Sequence, residues 1–135
     1  MRVLIIDVDP DVRRRLSLKL LRNHVRADTV SDASEAIELL GKQEYAFVLL
    51  DTALPDSGVI DVLARAAAMP VKERPIIVVT TASMESARAL DVELVQIMLR
   101  KPIDVDAVAD LIGNCVRQTP GAVEAVKPQP SSQPR

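Results

Sequence analysis

The residues of this sequence whose side chains could do chemistry together are two acids, a hydroxyl and an amine: Asp7, Asp51, Thr80 and Lys101. Carboxylates supply negatively charged oxygen atoms, a threonine supplies a hydroxyl, and a lysine supplies a compact positive charge. Each residue alone has a simpler interpretation, because Asp and Thr often cap helices and most lysines lie on the surface. The four residues are far apart along the chain, so a common function requires a fold that brings them together.

Each of the four residues lies at the end of a short apolar run. The runs cover residues 3–6, 46–50, 76–79 and, more weakly, 95–99. The first three are continuous, which is typical of strands buried on both faces of a parallel sheet. A fifth candidate, 25–30, carries charges at alternate positions and suits an edge strand. Because ligands bind beyond the carboxyl ends of the strands in an open parallel sheet, we expect the four side chains to converge there.

Between the apolar runs, hydrophobic residues recur at helical spacing. The stripes consist of Val12, Leu16 and Leu20; Ala33, Ala36, Ile37 and Leu40; Ile60, Leu63, Ala64 and Ala67; and Val105, Val108, Ile112 and Val116. Residues 83–91 form a shorter and weaker helix candidate, and Asp32 and Asp104 stand at N-cap positions. Five strands that alternate with five helices predict an α/β fold with a parallel sheet and right-handed crossovers.

Composition restricts the class of protein. The 135 residues suit one domain, and a formal net charge of -2 argues against nucleic-acid binding by this domain. No apolar run approaches the length of a membrane span, and the first residues lack the pattern of a secretory signal, so we expect no membrane association. The single cysteine, Cys115, cannot form an internal disulfide. These features predict a soluble protein of the reducing cytoplasm.

The composition changes near Gln118. Residues 119–135 are rich in proline and serine and carry few large apolar side chains. Such a segment cannot bury enough surface to offset the entropy lost on ordering. We therefore expect a folded domain over residues 1–118, followed by a disordered tail or linker over 119–135.

Four stretches of the chain carry a resemblance to a known family. They are residues 3–13 (VLIIDVDPDVR), 48–55 (VLLDTALP), 75–82 (PIIVVTTA) and the pair Lys101-Pro102. In this order and spacing they resemble the receiver domain of two-component response regulators, over residues 1 to about 118. The resemblance implies a flavodoxin-like, doubly wound sheet of five parallel strands in the order 2-1-3-4-5, with five helices. It also implies a cis peptide between Lys101 and Pro102, which only an X-Pro bond adopts at low cost.

The resemblance also assigns roles by position. Asp51 would accept a phosphoryl group, and Thr80 and Lys101 would contact the phosphoryl oxygens. Asp7, Asp51 and the carbonyl of Ala53 would hold Mg²⁺. These roles agree with chemistry, since a carboxylate can attack phosphorus once the charge on the transferred group is neutralised.

The sequence departs from the family pattern at several positions. Val8 replaces the second of two adjacent acids, Met98 replaces an aromatic residue, and Thr81 is larger than the usual small residue. The loop over residues 54–58 is one residue shorter than the common version. Because removal of even an outer-shell group typically lowers metal affinity about 10–100-fold, Val8 predicts weak Mg²⁺ binding and slow phosphorylation.

The sequence therefore favours a signalling switch rather than an enzyme. A histidine kinase or a phosphotransfer protein would phosphorylate Asp51, and an unknown downstream protein would bind the surface of the fourth helix, fifth strand and fifth helix. Residues of that surface include Met84, Arg88 and Met98, and homodimerisation through it stays open.

Two alternatives remain. One is a phosphorylation-independent interaction module on the same fold, which Val8, Thr81 and Met98 favour. The other is a flavin-binding or hydrolytic enzyme, since a fold does not determine function. The sequence shows neither a phosphate-cradling glycine loop nor a set of nucleophile, base and orienting residue for that second alternative.

Overall fold

Five parallel strands form one sheet in the computed structural model, which describes residues 2–117. The strands are β1 (Arg2–Ile6), β2 (Arg26–Val30), β3 (Phe47–Asp51), β4 (Ile76–Thr81) and β5 (Val95–Arg100). They are hydrogen-bonded in the order β2-β1-β3-β4-β5, and every pair is parallel. The predicted fold and strand order are confirmed. The predicted tail, 119–135, lies outside the described residues.

The first four helices connect successive strands, the fifth follows the last strand, and together they cover both faces of the sheet. They are α1 (Pro10–Arg22), α2 (Ala33–Lys42), α3 (Gly58–Ala67), α4 (Met84–Ala87) and α5 (Val105–Arg117), with a short 3₁₀ turn at Val71–Glu73. The carboxylates of Asp32 and Asp104 accept N–H bonds of 2.8 and 3.1 Å and cap α2 and α5 as predicted. Helix α4 is only one turn long, much shorter than segment 83–91. None of the helices within residues 2–117 is long and apolar enough to cross a lipid bilayer.

The core consists of two aliphatic layers, one on each face of the sheet. Alternate residues of the central strands point into opposite layers, so both sets must be apolar. Leu4, Ile6, Val48, Leu50 and Val79 pack towards α2 and α3. Val3, Ile5, Phe47, Leu49 and Val78 pack towards α1 and α5. This two-sided burial is the physical reason why the strand sequences are continuous rather than alternating.

Side chains complete the pairing near both edges of the sheet. The β4–β5 register shifts between Ile77 and Val78, and the Ile77 N–H there donates to Oε1 of Gln96 at 2.7 Å. At the opposite edge, Nη1 of Arg2 lies 3.0 Å from both carboxylate oxygens of Asp28, and the Tyr45 hydroxyl donates to Asp28 at 2.7 Å. These bonds hold the outer strands in the register that determines which residues meet at the carboxyl edge.

Candidate functional site

The strand register brings the four predicted site residues to one edge of the sheet. Asp51 is the last residue of the central strand β3, and Thr80 of β4 is its register partner. Asp7 follows β1, the other neighbour of β3. Lys101 follows β5, and its N–H donates to the Thr81 carbonyl at 2.8 Å, which continues the strand pairing by one residue. The four side chains thus belong to four adjacent strands that end together.

The carboxylate of Asp51 is fully buried and accepts three hydrogen bonds. Nζ of Lys101 lies 2.5 Å and the Ala53 N–H 2.9 Å from Oδ1, while the Val8 N–H donates to Oδ2 at 3.1 Å. Burial alone raises the pKa of Asp51. The bonds from Lys101 and the two backbone amides outweigh it and hold the pKa below its usual value. Asp51 is therefore ionised at neutral pH, as a nucleophilic carboxylate must be.

Asp7 is nearly as buried as Asp51, but its electrostatic setting is the opposite. Burial raises the pKa of Asp7 to about 6, and the neighbouring Asp51 carboxylate adds to the rise. The N–H of Asp9, 2.8 Å from Oδ1, and the Lys101 charge only partly oppose it. The two carboxylates lie beside a single ammonium group, that of Lys101, so a bound cation would offset the remaining negative charge. Hard oxygen donors of this kind fit a Mg²⁺ ion, which needs one or two carboxylates and retains several waters.

Thr80 contributes a hydroxyl with no hydrogen-bond partner within residues 2–117. Its Oγ1 is buried beside Asp51, and a buried polar group in that state costs about 1–3 kcal/mol. The Thr80 carbonyl, in contrast, accepts both the N–H and the hydroxyl of Thr52, at 2.9 and 3.0 Å. Sequence reasoning gave Thr52 no role, although it follows Asp51 directly. An oxygen of a bound anion would satisfy the Thr80 hydroxyl.

The acid missing at Val8 is not replaced by its neighbour. The Asp9 carboxylate accepts the Asp11 N–H at 2.9 Å and caps α1. Across residues 2–117, no group of three or more acidic, histidine or cysteine side chains could by itself hold a metal ion. Asp7 and Asp51 are the two buried carboxylates at this edge, whereas one oxygen of Asp9 is engaged in capping α1. Sequence reasoning treated Val8 only as a loss and missed its backbone N–H, which binds Asp51 directly.

Two open clefts reach the site from opposite sides of Lys101. The larger, of about 490 Å³, lies between the β1–α1 turn and the start of α5, and its walls include Asp7, Asp9, Asp11, Arg15, Lys101 and Pro102. The smaller, of about 400 Å³, lies between α3 and α4, and its walls include Ala53, Val59, Ile60, Thr81, Leu90 and Lys101. The Lys101–Pro102 peptide is cis. Lys101 lines both clefts, whereas the buried Asp51 lines neither of them.

The Thr81 hydroxyl is turned towards the β4–α4 loop. It accepts the Ser83 N–H at 3.0 Å and donates to the Ser83 carbonyl at 2.9 Å. Thr81 itself is buried, and it forms part of the wall of the smaller cleft. The larger side chain at this position thus restrains the loop that follows Thr80.

These features together define an α/β protein with an acidic pocket at the carboxyl edge of its sheet. The sequence model of the response regulator receiver domain matches residues 3–113. The chain belongs to this family, whose members are domains of two-component regulatory systems.

Individual relatives agree with this assignment. The response regulator protein PilR of Pseudomonas aeruginosa is 29% identical over 127 residues, which cover 92% of this chain but 28% of PilR. A receiver-domain structure from Bermanella marisrubri is 26% identical with a TM-score of 0.73, covering 85% of this chain and 97% of that one. The response regulator TrrA of Thermotoga maritima, in complex with Mg²⁺ and BeF, has a TM-score of 0.70 and 22% identity, covering 84% and 97% of the two chains. The chain thus spans little more than a quarter of the length of PilR.

Proposed function

We propose that Asp51 accepts a phosphoryl group from a histidine kinase or a phosphotransfer protein, and that the domain then signals through protein contact. The observation that carries this proposal is the setting of Asp51. Its ionised carboxylate is buried, paired with Lys101, and in register with a buried hydroxyl that has no partner among the described residues. The free cysteine Cys115 is compatible with action in the reducing cytoplasm.

The residues of the site match what phosphoryl transfer requires. A carboxylate oxygen of Asp51 attacks phosphorus while the bond from phosphorus to the donor's nitrogen breaks, and an acyl phosphate forms. Catalysis of such a transfer depends on positioning and on neutralising the charge of the phosphoryl oxygens. The ammonium group of Lys101 already pairs with the Asp51 carboxylate, which is the attacking group. The Thr80 hydroxyl would donate to a phosphoryl oxygen.

Mg²⁺ would be held by Asp7, Asp51 and the carbonyl of Ala53. Bound there, it would neutralise part of the negative charge that develops on the phosphoryl group. The elevated pKa of Asp7 supports this part of the proposal, because it shows that the pocket disfavours a second unbalanced carboxylate. The valine at position 8 leaves one acid fewer than the family pattern, so we propose that the affinity is weak.

Phosphorylation is tested by incubating the protein with acetyl phosphate and Mg²⁺ and measuring its intact mass. We expect one added phosphoryl group on the native chain and none on Asp51→Asn. Asp56→Asn is a matched control. Asp56 is an exposed acid of the same loop, and asparagine tolerates the left-handed backbone conformation that Asp56 adopts. An unmodified native chain, or equal modification of Asp51→Asn, would contradict the proposal.

The weak metal affinity is tested by calorimetric titration with Mg²⁺. We expect a millimolar dissociation constant for the native protein and a decrease of about tenfold or more in Val8→Asp, because an added carboxylate supplies a metal ligand. Val8→Asn controls for size and polarity without adding charge, and we expect it to resemble the native protein. Sub-millimolar binding by the native chain, or no gain in Val8→Asp, would show that position 8 does not limit the affinity.

A second function, a phosphorylation-independent interaction module, is favoured by one specific observation. Without any cation, both oxygens of the Asp51 carboxylate already have donors, namely Lys101, Ala53 and Val8. An Asp51 carboxylate satisfied in this way does not need a ligand to stay buried. For such a module we expect no adduct at any Mg²⁺ concentration and identical amide NMR spectra with and without acetyl phosphate.

A further inference from the structure

Arg13 connects the two ends of the turn between β1 and α1. Its backbone N–H donates to the Asp9 carbonyl at 3.1 Å and so begins the hydrogen-bond ladder of α1. Its side chain folds back over the turn, and Nη1 donates to the Asp7 carbonyl at 2.6 Å. Val8 lies between these two attachment points, so its peptide groups are held from both sides.

This turn presents two consecutive amides to the two buried carboxylates. The Val8 N–H donates to Oδ2 of Asp51 at 3.1 Å, and the Asp9 N–H donates to Oδ1 of Asp7 at 2.8 Å. The orientation of the turn therefore determines whether both acids of the pocket receive a hydrogen bond from a backbone amide. A small rotation of either peptide plane would aim an N–H away from its carboxylate.

The Asp7–Val8 peptide is the physical link between Arg13 and Asp51. A peptide group is planar, so the carbonyl of Asp7 and the N–H of Val8 move as one rigid unit and, in a trans peptide, point in opposite directions. Arg13 binds the oxygen end of this unit, and Asp51 binds the N–H end. Because the bond from Arg13 comes from a charged donor, it is stronger than a neutral hydrogen bond.

We propose that Arg13 is a positioning residue that orients the Asp7–Val8 peptide and thereby sets the Val8 N–H on the phosphoacceptor carboxylate. Its effect on phosphorylation rests on the function proposed above for Asp51. Because valine stands at position 8 where the family pattern has an acid, the contribution of this position to the pocket is its backbone N–H, which Arg13 holds in place through the Asp7 carbonyl.

Three other cations of α1 do not share this role. Arg14 and Arg15 lie 2.9 and 3.6 Å from the carboxylate of Asp11, and Nζ of Lys19 lies 3.0 Å from Asp106 of α5. These are ion pairs between side chains at the surface, where such pairs contribute little. Arg14 therefore offers a matched control: the same residue type, one position away, on the same helix.

The first test is amide hydrogen exchange measured by NMR on the full chain. In Arg13→Met, which keeps the apolar stem, we expect the Val8 and Asp9 amides to exchange about tenfold faster or more, because a charge-assisted bond is lost. Arg14→Met should leave both rates unchanged, and Arg13→Lys should restore part of the protection. Native exchange at Val8 in Arg13→Met would overturn the proposal. An equal acceleration at all amides would also overturn it, since that result indicates general destabilisation.

The second test is the rate of phosphorylation by acetyl phosphate at fixed Mg²⁺. We expect a decrease of about tenfold in Arg13→Met and none in Arg14→Met, because a misaimed Val8 amide no longer orients Asp51. A native rate in Arg13→Met would refute the catalytic part. If the native chain takes up no phosphoryl group at all, the proposed function fails, while the exchange measurement still decides whether Arg13 positions the turn.

Discussion

Two buried acids in one pocket have pKa values shifted in opposite directions, because Asp51 has more hydrogen-bond donors to offset its burial than Asp7 has. Asp51 accepts from Lys101 and two backbone amides, whereas Asp7 accepts from one amide and lies beside a second carboxylate. Opposed settings of this kind separate the roles of paired carboxyl groups. They match the proposed roles, in which Asp51 is the ionised nucleophile and Asp7 is a ligand for a cation.

The substitution Asp7→Asn should stabilise the protein at neutral pH when no divalent cation is bound. The pKa of Asp7 rises from 3.8 to about 6 on folding, so the folded state holds this proton more tightly than the unfolded state does. The resulting stability is complete below the unfolded pKa and is lost as the pH rises through the folded pKa. We expect the free energy of unfolding to be about 1–3 kcal/mol higher in Asp7→Asn at neutral pH.

Urea unfolding in the presence of EDTA measures this difference. The gain from Asp7→Asn should shrink towards zero near the unfolded pKa, where the carboxyl group is protonated in both states. Asp110→Asn, at an exposed acid of α5, should change stability little at either pH. A gain that does not depend on pH would show that the effect of Asp7→Asn is not electrostatic.

Strand β5 depends on a side chain to complete its pairing. At the irregularity beside Ile77, the amide oxygen of Gln96 accepts the backbone N–H that the ladder leaves unpaired. Ile77 is buried, so without the Gln96 oxygen its N–H would have neither a protein acceptor nor water as a partner. The bond matters beyond the strand, because β5 leads directly to Lys101.

The substitution Gln96→Leu should destabilise the protein by about 1–2 kcal/mol, since it leaves a buried donor unsatisfied. Gln96→Glu keeps an acceptor oxygen at the same reach, so we expect it to cost less than about 0.5 kcal/mol. Chemical denaturation gives both values. Equal losses in the two variants would mean that the acceptor at position 96 is not what β5 requires.

The whole molecule depends on aliphatic packing on both faces of the sheet. With one Phe, one Tyr and no Trp in the chain, both layers are built mainly from Leu, Ile, Val and Ala. Helix α1 shows how sharply burial divides neighbouring positions: Leu20 is 0% exposed, whereas Leu21 is 64% exposed.

These two leucines provide a matched test of the core. Leu20→Ala should lower the free energy of unfolding by about 2–5 kcal/mol, because it leaves a cavity between α1 and the sheet. Leu21→Ala should change it by less than about 0.5 kcal/mol. Thermal or urea unfolding distinguishes the two, and similar losses would contradict the packing described for α1.

Local sequence patterns were sufficient to predict the strands, most of the helices and the convergence of Asp7, Asp51, Thr80 and Lys101. Burial on both faces requires continuous apolar runs, and the ends of those runs mark the carboxyl edge of the sheet. The strand order came from the resemblance of four motifs to a family rather than from periodicity. Helix α4 was predicted too long, because the weak pattern over 83–91 does not show where a helix ends.

Only the tertiary structure decided which groups form hydrogen bonds with one another in the pocket. Every residue except proline carries a backbone N–H, so no pattern of side chains could show that the amide of Val8 meets Asp51, or that Arg13 reaches back to the Asp7 carbonyl. The unpartnered Thr80 hydroxyl is equally invisible in a sequence. Residue types and periodicity determine which groups reach the edge of the sheet, whereas hydrogen bonds between segments distant in sequence exist only once the chain has folded.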